Sequence, residues 1–417
     1  MKVVGVIAEY NPFHNGHKYQ LDTLRKQTGA DYLIVAMSGS FLQRGIPAIT
    51  DKYTRAQMAL EGGADLVLEL PSLWSTASAE YFAKAGVYLL GSTGVVSVLG
   101  YGVEEDQPHL LQELSSLLQD APRAYHDAIN LHTRNGLSFP AARAAALGEL
   151  LPEHPSEEIT RFLSQPNNIL ALEYEKALID FNRTASAPVK SCPITRIGDG
   201  YHNAEVHSRY ASATALRRLL KDDPDSLAAN ELMPAHAAAL LLGNYQSRLC
   251  LQPDDFSQAL YVKLLAEAPY GYEKYADCTP DLSRKILKLL PEFVGFEQFC
   301  MCLKSKDLTY TRISRVLLHI LLGITKDHYL NAAALGYTPY LRALGFRKDA
   351  APLLSGIKQH AAVPLITKPA DAIQQLDPAC HFLFRLDSYS YDLYRGIQSI
   401  KNGQALPNEF ARPFLIV

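Results

Sequence analysis

The chain has 417 residues, 48% of them apolar and 20% charged, with a formal net charge of -3. That length predicts two or three domains, each with its own core, and the apolar share excludes a disordered chain. The charge excludes a globally basic nucleic-acid binder but leaves room for a local basic patch. Six cysteines, Cys192, Cys250, Cys278, Cys300, Cys302 and Cys380, form no C-x-x-C pair. Neither a disulfide scaffold nor a zinc site is expected from them; they read as reduced thiols in a cytoplasm. Glu9 breaks the first apolar stretch too early for a signal peptide. The longest later apolar run, Val316 to Ile324, is too short to span a bilayer, so no membrane partner is expected.

Lys2 to Ala8 is a β-branched run of the kind buried on both faces of a parallel sheet. Asn11 to His17 is turn chemistry, and Gly16 to Gln27 has helical spacing closed by Thr28-Gly29. Asp31 to Met37 predicts a second strand, Tyr53 to Gly62 a helix, and Ala64 to Leu70 a third strand. A helix over Ala77 to Leu90 and a strand over Val95 to Leu99 complete a doubly wound α/β pattern. Helical patterns follow at Leu111 to Asn130, Ser138 to Leu150 and Ile169 to Phe181, with a strand at Val189 to Ile197 before Gly198-Asp199-Gly200. Beyond Thr214 the periodicity is almost wholly helical: Leu216 to Lys221, His236 to Leu241, Phe256 to Ala266, Ser283 to Leu290, Tyr310 to Leu322 and Tyr340 to Leu344. The expected organisation is a Rossmann-like α/β domain with a parallel sheet over 1–220, followed by an α-helical domain over 221–417.

The sharpest feature is His14-Asn15-Gly16-His17, between the first strand and the first helix. A helix start offers free backbone N–H groups and a positive dipole end to an anion. Gly16 allows close approach, and two imidazoles three residues apart share one face of that start. They can donate to a phosphate whose charge grows in the transition state. Two unrelated loop histidines are the bland alternative, and the position in a strand–helix turn argues against it. Ser212-Ala213-Thr214-Ala215-Leu216-Arg217 resembles the I-S-S-T-x-x-R signature that accompanies H-x-G-H in nucleotidyltransferases. Its hydroxyls cap a helix and face phosphate, and Arg217 is placed to clamp pyrophosphate. His14, His17 and Arg217 are the catalytic candidates.

Longer motifs narrow the reading. Val6 to Lys18, Met37 to Gly45, Glu69-Leu-Pro71, Gly136 to Pro140, Pro166 to Leu170 and Arg196 to His202 resemble the bacterial tRNA(Met) cytidine acetate ligase family. The resemblance covers most of the first 220 residues and thins afterwards to Tyr310 to Arg315. It implies an enzyme that activates acetate with ATP to acetyl-adenylate and acetylates N4 of the wobble cytidine of elongator tRNA(Met). It implies an ATP site made of Ile7, Ala8, Glu9, Tyr10, Asn11, Pro12, Phe13, His14, Asn15, Gly16, His17, Lys18, Tyr19 and Gln20. Gly102, an asparagine of Asn167-Asn168, and Arg196 with Ile197 complete that implied set; Ser212 and Thr214 join it from the signature above. The family usually reads F-G-S-E where this chain reads Tyr101-Gly102-Val103-Glu104, which leaves Gly100 as a competing choice.

No protein metal ligands are expected: Asp51 and Glu69 stand alone, and Mg2+ would ride on the ATP phosphates. Ser38, Gly39 and Ser40 end a strand where open sheets bind ligands, and could line the acetate pocket or form a plain turn. Arg44 and Lys52 in a polar loop, and Arg312 with Arg315 on a helix, are candidate tRNA contacts; Tyr310 beside them could stack a base. Trp74 reads as core or pocket wall. Two other functions compete: a small-molecule nucleotidyltransferase of the pantetheine-phosphate or nicotinate-mononucleotide type, and a non-catalytic RNA-binding protein. The long helical half argues against the first, and the intact His14, His17 and Arg217 against the second.

Overall fold

The computed structural model describes residues 1–197, 210, 212–222, 228–306 and 308–417. Gly198-Asp199-Gly200 and the Tyr201-His202 end of the last motif lie outside the described residues. Eight strands among the described residues build one sheet: β1 Val3–Ala8, β2 Tyr32–Ser38, β3 Leu66–Leu70, β4 Val96–Val103, β5 Lys190–Thr195, β6 Leu341–Phe346, β7 Leu365–Ile366 and β8 Leu415–Ile416. Their order is β5-β4-β1-β2-β3-β6-β7, with β8 also on β6. The first five strands are parallel, and β6 joins β3 antiparallel.

The β-branched runs explain the sheet. Val3 and Ile7 of β1 face one core, and Val4 and Val6 face another. Alternate residues thus bury on opposite faces, as a sheet covered on both sides requires. The helix Asn15–Thr28 carries the chain from β1 to β2, and the helix Lys52–Glu61 from β2 to β3. Asp51 caps the latter, its carboxylate accepting from the N–H groups of Tyr53 and Thr54 at 3.0 and 3.2 Å. The chain then returns through the helix Ala79–Gly91 to place β4 on the far side of β1. The winding reverses there, so a crevice opens beyond the carboxyl ends of β1 and β4.

Two readings change. Tyr340 to Leu344 is not helical; Leu341–Phe346 is strand β6, and its residues up to Gly345 are buried. A short stretch buried on both faces carries no strand periodicity, and β6 pairs with a strand some 270 positions away in sequence, so its sequence alone does not separate the two states. The expected helix Leu111 to Asn130 is two helices, Pro108–Gln119 and Arg123–Arg134, separated at Asp120-Ala121-Pro122 because proline cannot continue a helix. The part of the chain past residue 221 supplies helices and also the strands β6, β7 and β8 of the common sheet.

Its longest helix, His381–Asn402, runs back across the α/β part. The buried carboxylate of Asp387 accepts from the Ser72 N–H and from the Tyr340 hydroxyl, both at 2.6 Å. Tyr394 donates to the Ala48 carbonyl at 2.7 Å. The helix Tyr310–Leu322 meets the loop that carries Arg44: Ser314 Oγ donates to the Gly45 carbonyl at 2.8 Å. Gly45 has φ of 75°, and a Cβ there would strike the backbone of Ser314 and Arg315. No described helix is long and apolar enough to cross a membrane.

Candidate active site

At the reversal point lies a cavity of about 360 Å³. Its floor is the end of β1 (Ile7 and Ala8) and Glu9 after it, with Tyr101 and Gly102 of β4. His14 and His17 line it at the start of the helix Asn15–Thr28, and Ser212, Thr214 and Arg217 line it at the start of the helix Ala213–Asp222.

His14 caps its helix in an unusual way. Its Nδ1 accepts the Gly16 N–H at 3.1 Å, while His17 Nδ1 accepts the His14 N–H at 3.3 Å. The two rings stack at 3.7 Å between centroids. Each Nδ1 is therefore an acceptor, so each neutral ring carries its proton on Nε2. Charging is disfavoured as well. Burial, then the nearby Arg196 and Arg217, push the His14 pKa down to about 3. Burial, then His14 and Arg196, hold His17 well below the usual histidine range. The site thus presents two neutral N–H donors at the positive end of a helix. A side chain at residue 16 would press on the His14 ring, its Cβ 2.9 Å from Cε1. Glycine is needed there for space.

Arg217 ties the second helix start to the first turn. Its guanidinium donates to the Asn11 carbonyl at 2.7 Å and to Thr214 Oγ1 at 3.2 Å. Burial and then Arg44 lower its pKa to about 10, which leaves it charged at neutral pH. Glu9 accepts from the Gln43 N–H at 2.8 Å, and Asn11 Oδ1 accepts from the Ile49 N–H at 2.7 Å, so the loop 39–50 is pinned over the cavity. Fully buried Arg55 braces the floor by donating to the carbonyls of Glu9, Gly39 and Thr50. Tyr10 Oη and Asn11 Nδ2 are buried in this wall and have no hydrogen-bond partner among the described residues. Such orphaned polar atoms suit a polyanionic, hydroxyl-bearing ligand.

The expected ATP residues separate into three groups. Ile7, Ala8, Glu9, Tyr10, Asn11, His14, His17, Gln20, Gly102, Asn167, Arg196, Ser212 and Thr214 line the cavity, as does the catalytic candidate Arg217. Gly16, Tyr19 and Ile197 line a narrow adjoining cleft. Pro12, Phe13, Asn15, Lys18 and Asn168 line neither. Phe13 is buried against Gly62, Asn15 donates to the Glu231 carbonyl at 2.8 Å, and Lys18 pairs with Asp22 at 3.0 Å. Asn168 lies beneath the surface and accepts from the Glu104 N–H at 2.9 Å. Gly102 lines the cavity under the Arg196 side chain, whereas Gly100, two residues earlier on the same face of β4, lies beneath Leu24, which its Cβ would strike.

Sequence reasoning assigned no role here to the apolar wall of Phe82, Tyr101, Ile169, Leu170 and Tyr174. The Pro166 to Leu170 motif was the available signal. Ser38 and Ser40 are buried, and neither reaches the cavity wall. Trp74 is core, its Nε1 donating to the Tyr337 carbonyl at 2.7 Å. Of the four tRNA candidates, Arg44 lines the cavity and Arg312 is half-buried. Arg315 is paired with Asp277 at 3.2 Å. Lys52 cannot touch RNA: it is fully buried, 2.7 Å from Glu69 and 2.5 Å from Glu409. A buried ammonium needs such partners, and local sequence does not reveal them.

A strand–turn–helix H-x-G-H site at the reversal of a parallel sheet defines a nucleotidyl transferase. The family model described as HIGH Nucleotidyl Transferase matches residues 1–407. Relatives narrow this. A tRNA(Met) cytidine acetate ligase of Acetivibrio thermocellus is 33% identical over 398 residues, 94% of each chain. Another, of Thermoanaerobacter sp., is 32% identical over the full length of both chains. A third, of Clostridium kluyveri, is 36% identical over 88% of this chain and 90% of its own. The crystal structure of Thermotoga maritima TmcAL bound with alpha-thio ATP superposes with a TM-score of 0.88 at 29% identity, covering 100% of this chain and 99% of that one. The apo form gives 0.92 at 28% identity, with complete coverage of both. The chain belongs to the tRNA(Met) cytidine acetate ligases, a family of ATP-using ligases with the HIGH nucleotidyl transferase fold.

Proposed function

We propose that this enzyme condenses acetate with ATP to acetyl-adenylate and passes the acetyl group to N4 of the wobble cytidine of elongator tRNA(Met). The observation that carries this is the pair of stacked, neutral imidazoles with free Nε2–H donors at a helix start, facing a cavity that also holds Arg196 and Arg217. In the first step a carboxylate oxygen of acetate attacks the α-phosphorus, and the bond to the β-phosphate oxygen breaks. His14 and His17 donate to the phosphoryl oxygens as charge builds, and Arg217 receives the leaving pyrophosphate. Neutral donors suit a site that already holds Arg44, Arg196 and Arg217, because they add no repulsion when it is empty. In the second step the cytidine amine attacks the acetyl carbon and AMP leaves. That amine is a weak nucleophile, so it needs the activated acyl group and close placement.

Gly102, Asn167 and Arg196 hold the nucleoside end, with the apolar wall as the surface for the base withdrawn from water; Mg2+ arrives with the ATP phosphates. The chain to residue 220 carries the adenylate chemistry, and residues 221–417 carry much of the tRNA grip. The enzyme works in the cytoplasm, where its cysteines stay reduced. ATP–pyrophosphate exchange, measured with and without acetate and tRNA, tests the reading. Exchange that requires acetate and not tRNA is expected. Exchange with no acid present, or only with a small phosphorylated acceptor, overturns it.

A further inference from the structure

A second cavity, of about 370 Å³, shares Arg44, Ile46, Thr214 and Arg217 with the first. Its volume lies in the range of small-ligand sites, about 300–1,000 Å³. Its outer wall is chemically distinct. Arg218 and Lys221 come from the exposed side of the helix Ala213–Asp222, and Tyr245 and Tyr310 from two helices of the following part of the chain. Tyr245 Oη is buried and has no hydrogen-bond partner among the described residues. Glu297 also lines it, 3.5 Å from Lys221. Cations, aromatic faces, an unpartnered hydroxyl and one carboxylate are the set that recognises a nucleotide in a single strand. A cytosine adds an exocyclic amine that a carboxylate can accept.

We propose that this second cavity receives the accepting nucleotide of the RNA, its backbone phosphate on Arg218 and Lys221 and its base against Tyr245 and Tyr310. The inference rests on the adenylate reading above, because the shared wall is then where base and activated acyl group meet. A longer triphosphate pocket is the rival. The first cavity already holds the imidazoles, Arg196 and the positive end of a helix, and a polyphosphate has no use for two tyrosine rings. Placement also fits the linkage between halves. Arg217 belongs to both walls, so one helix start would hold the pyrophosphate on one side and present the nucleotide on the other.

The test uses the full-length enzyme with Arg218→Glu and Tyr310→Ala, and with Tyr310→Phe as the conservative control. Folding is checked by thermal melts; Arg218 is exposed, so its variant tests the idea even where Tyr310→Ala is unstable. Acetate-dependent exchange without RNA is expected within twofold of the parent. Acetyl transfer to tRNA should fall about tenfold or more in kcat/KM for Tyr310→Ala, the range for one lost base–aromatic stack, and recover in Tyr310→Phe. Arg218→Glu should flatten the log–log salt slope of tRNA binding by about one. Equal losses in exchange and transfer would assign the cavity to ATP or pyrophosphate and overturn the proposal. Unchanged transfer in both variants would overturn it as well. If the parent enzyme shows no acetate-dependent exchange, the adenylate reading fails on its own. Direct tRNA binding by the same variants then decides the cavity.

Discussion

Lys52→Met separates the two roles open to a lysine at a helix start beside an active site. Lys52, Arg342, Glu69 and Glu409 form a buried network of two cations and two anions, each residue at 2% exposure or less. Lys52 Nζ is 2.7 Å from Glu69 and 2.5 Å from Glu409, and Arg342 is 3.3 and 2.5 Å from the same two carboxylates. The arginine sits at ion-pair distance without the alignment of good hydrogen bonds, so Lys52 is the better-placed cation. Burial would raise the Glu409 pKa, but Lys52 and Arg342 outweigh it and hold it down at about 2. Methionine keeps the length and loses the charge, leaving one net negative charge in the interior. Breaking a buried pair this way costs about 3–5 kcal/mol. With about 2.1 cal/mol/K of unfolding entropy per residue, a chain of 417 residues loses about 3–6 °C in Tm. The assay is a thermal melt paired with tRNA binding under identical salt. Adding Glu69→Gln should restore part of the loss, because the unpaired charge is removed. A Tm equal to the parent's, with weakened tRNA binding, would refute the buried-network reasoning and return Lys52 to the RNA surface.

Other perturbations follow from the site. His14→Asn keeps a helix cap, so it and His17→Ala should each cut acetate-dependent exchange by about a hundredfold or more while the protein stays folded; near-normal exchange in both would remove the donor role. Because the folded His14 pKa is about 3 against 6.5 unfolded, the unfolded chain binds the extra proton, and stability falls as pH drops from about 6.5 towards 3. His14→Asn should flatten the acid limb of a Tm-versus-pH series, by about 1.4 kcal/mol per pH unit at most, and an unchanged limb would contradict it. Gly100→Ala forces a methyl into Leu24 and should destabilise by about 1–3 kcal/mol with KM for ATP unaltered. Gly102→Ala puts its methyl 3.2 Å from Arg196 Cγ and should raise that KM with little change in Tm; the reverse pattern in melts and kinetics would exchange the two glycines.

What was legible in the sequence is what short range determines. The β1 run, the turn after it and His14 to His17 lie within 16 residues, and their chemistry is local: a buried strand, a helix start and two imidazoles on one face. The Ser212 to Arg217 cap is local in the same way, and both motifs line one cavity. Tertiary structure decided the rest. Leu341–Phe346 became a strand because the edge of β3 was there to pair with it, not because of its own period. Lys52 reads as a surface charge until Glu409, 357 positions away, is brought against it. The protonation of the histidines also depends on distance-spanning contacts, since burial and Arg196 hold both neutral, with Arg217 acting on His14 as well. Arg44 stands over the site because Ser314, 269 positions from Gly45, holds the loop down. Local preference sets where a helix can start; the free energy of burying charge and completing a sheet is settled only between parts of the chain that folding brings together.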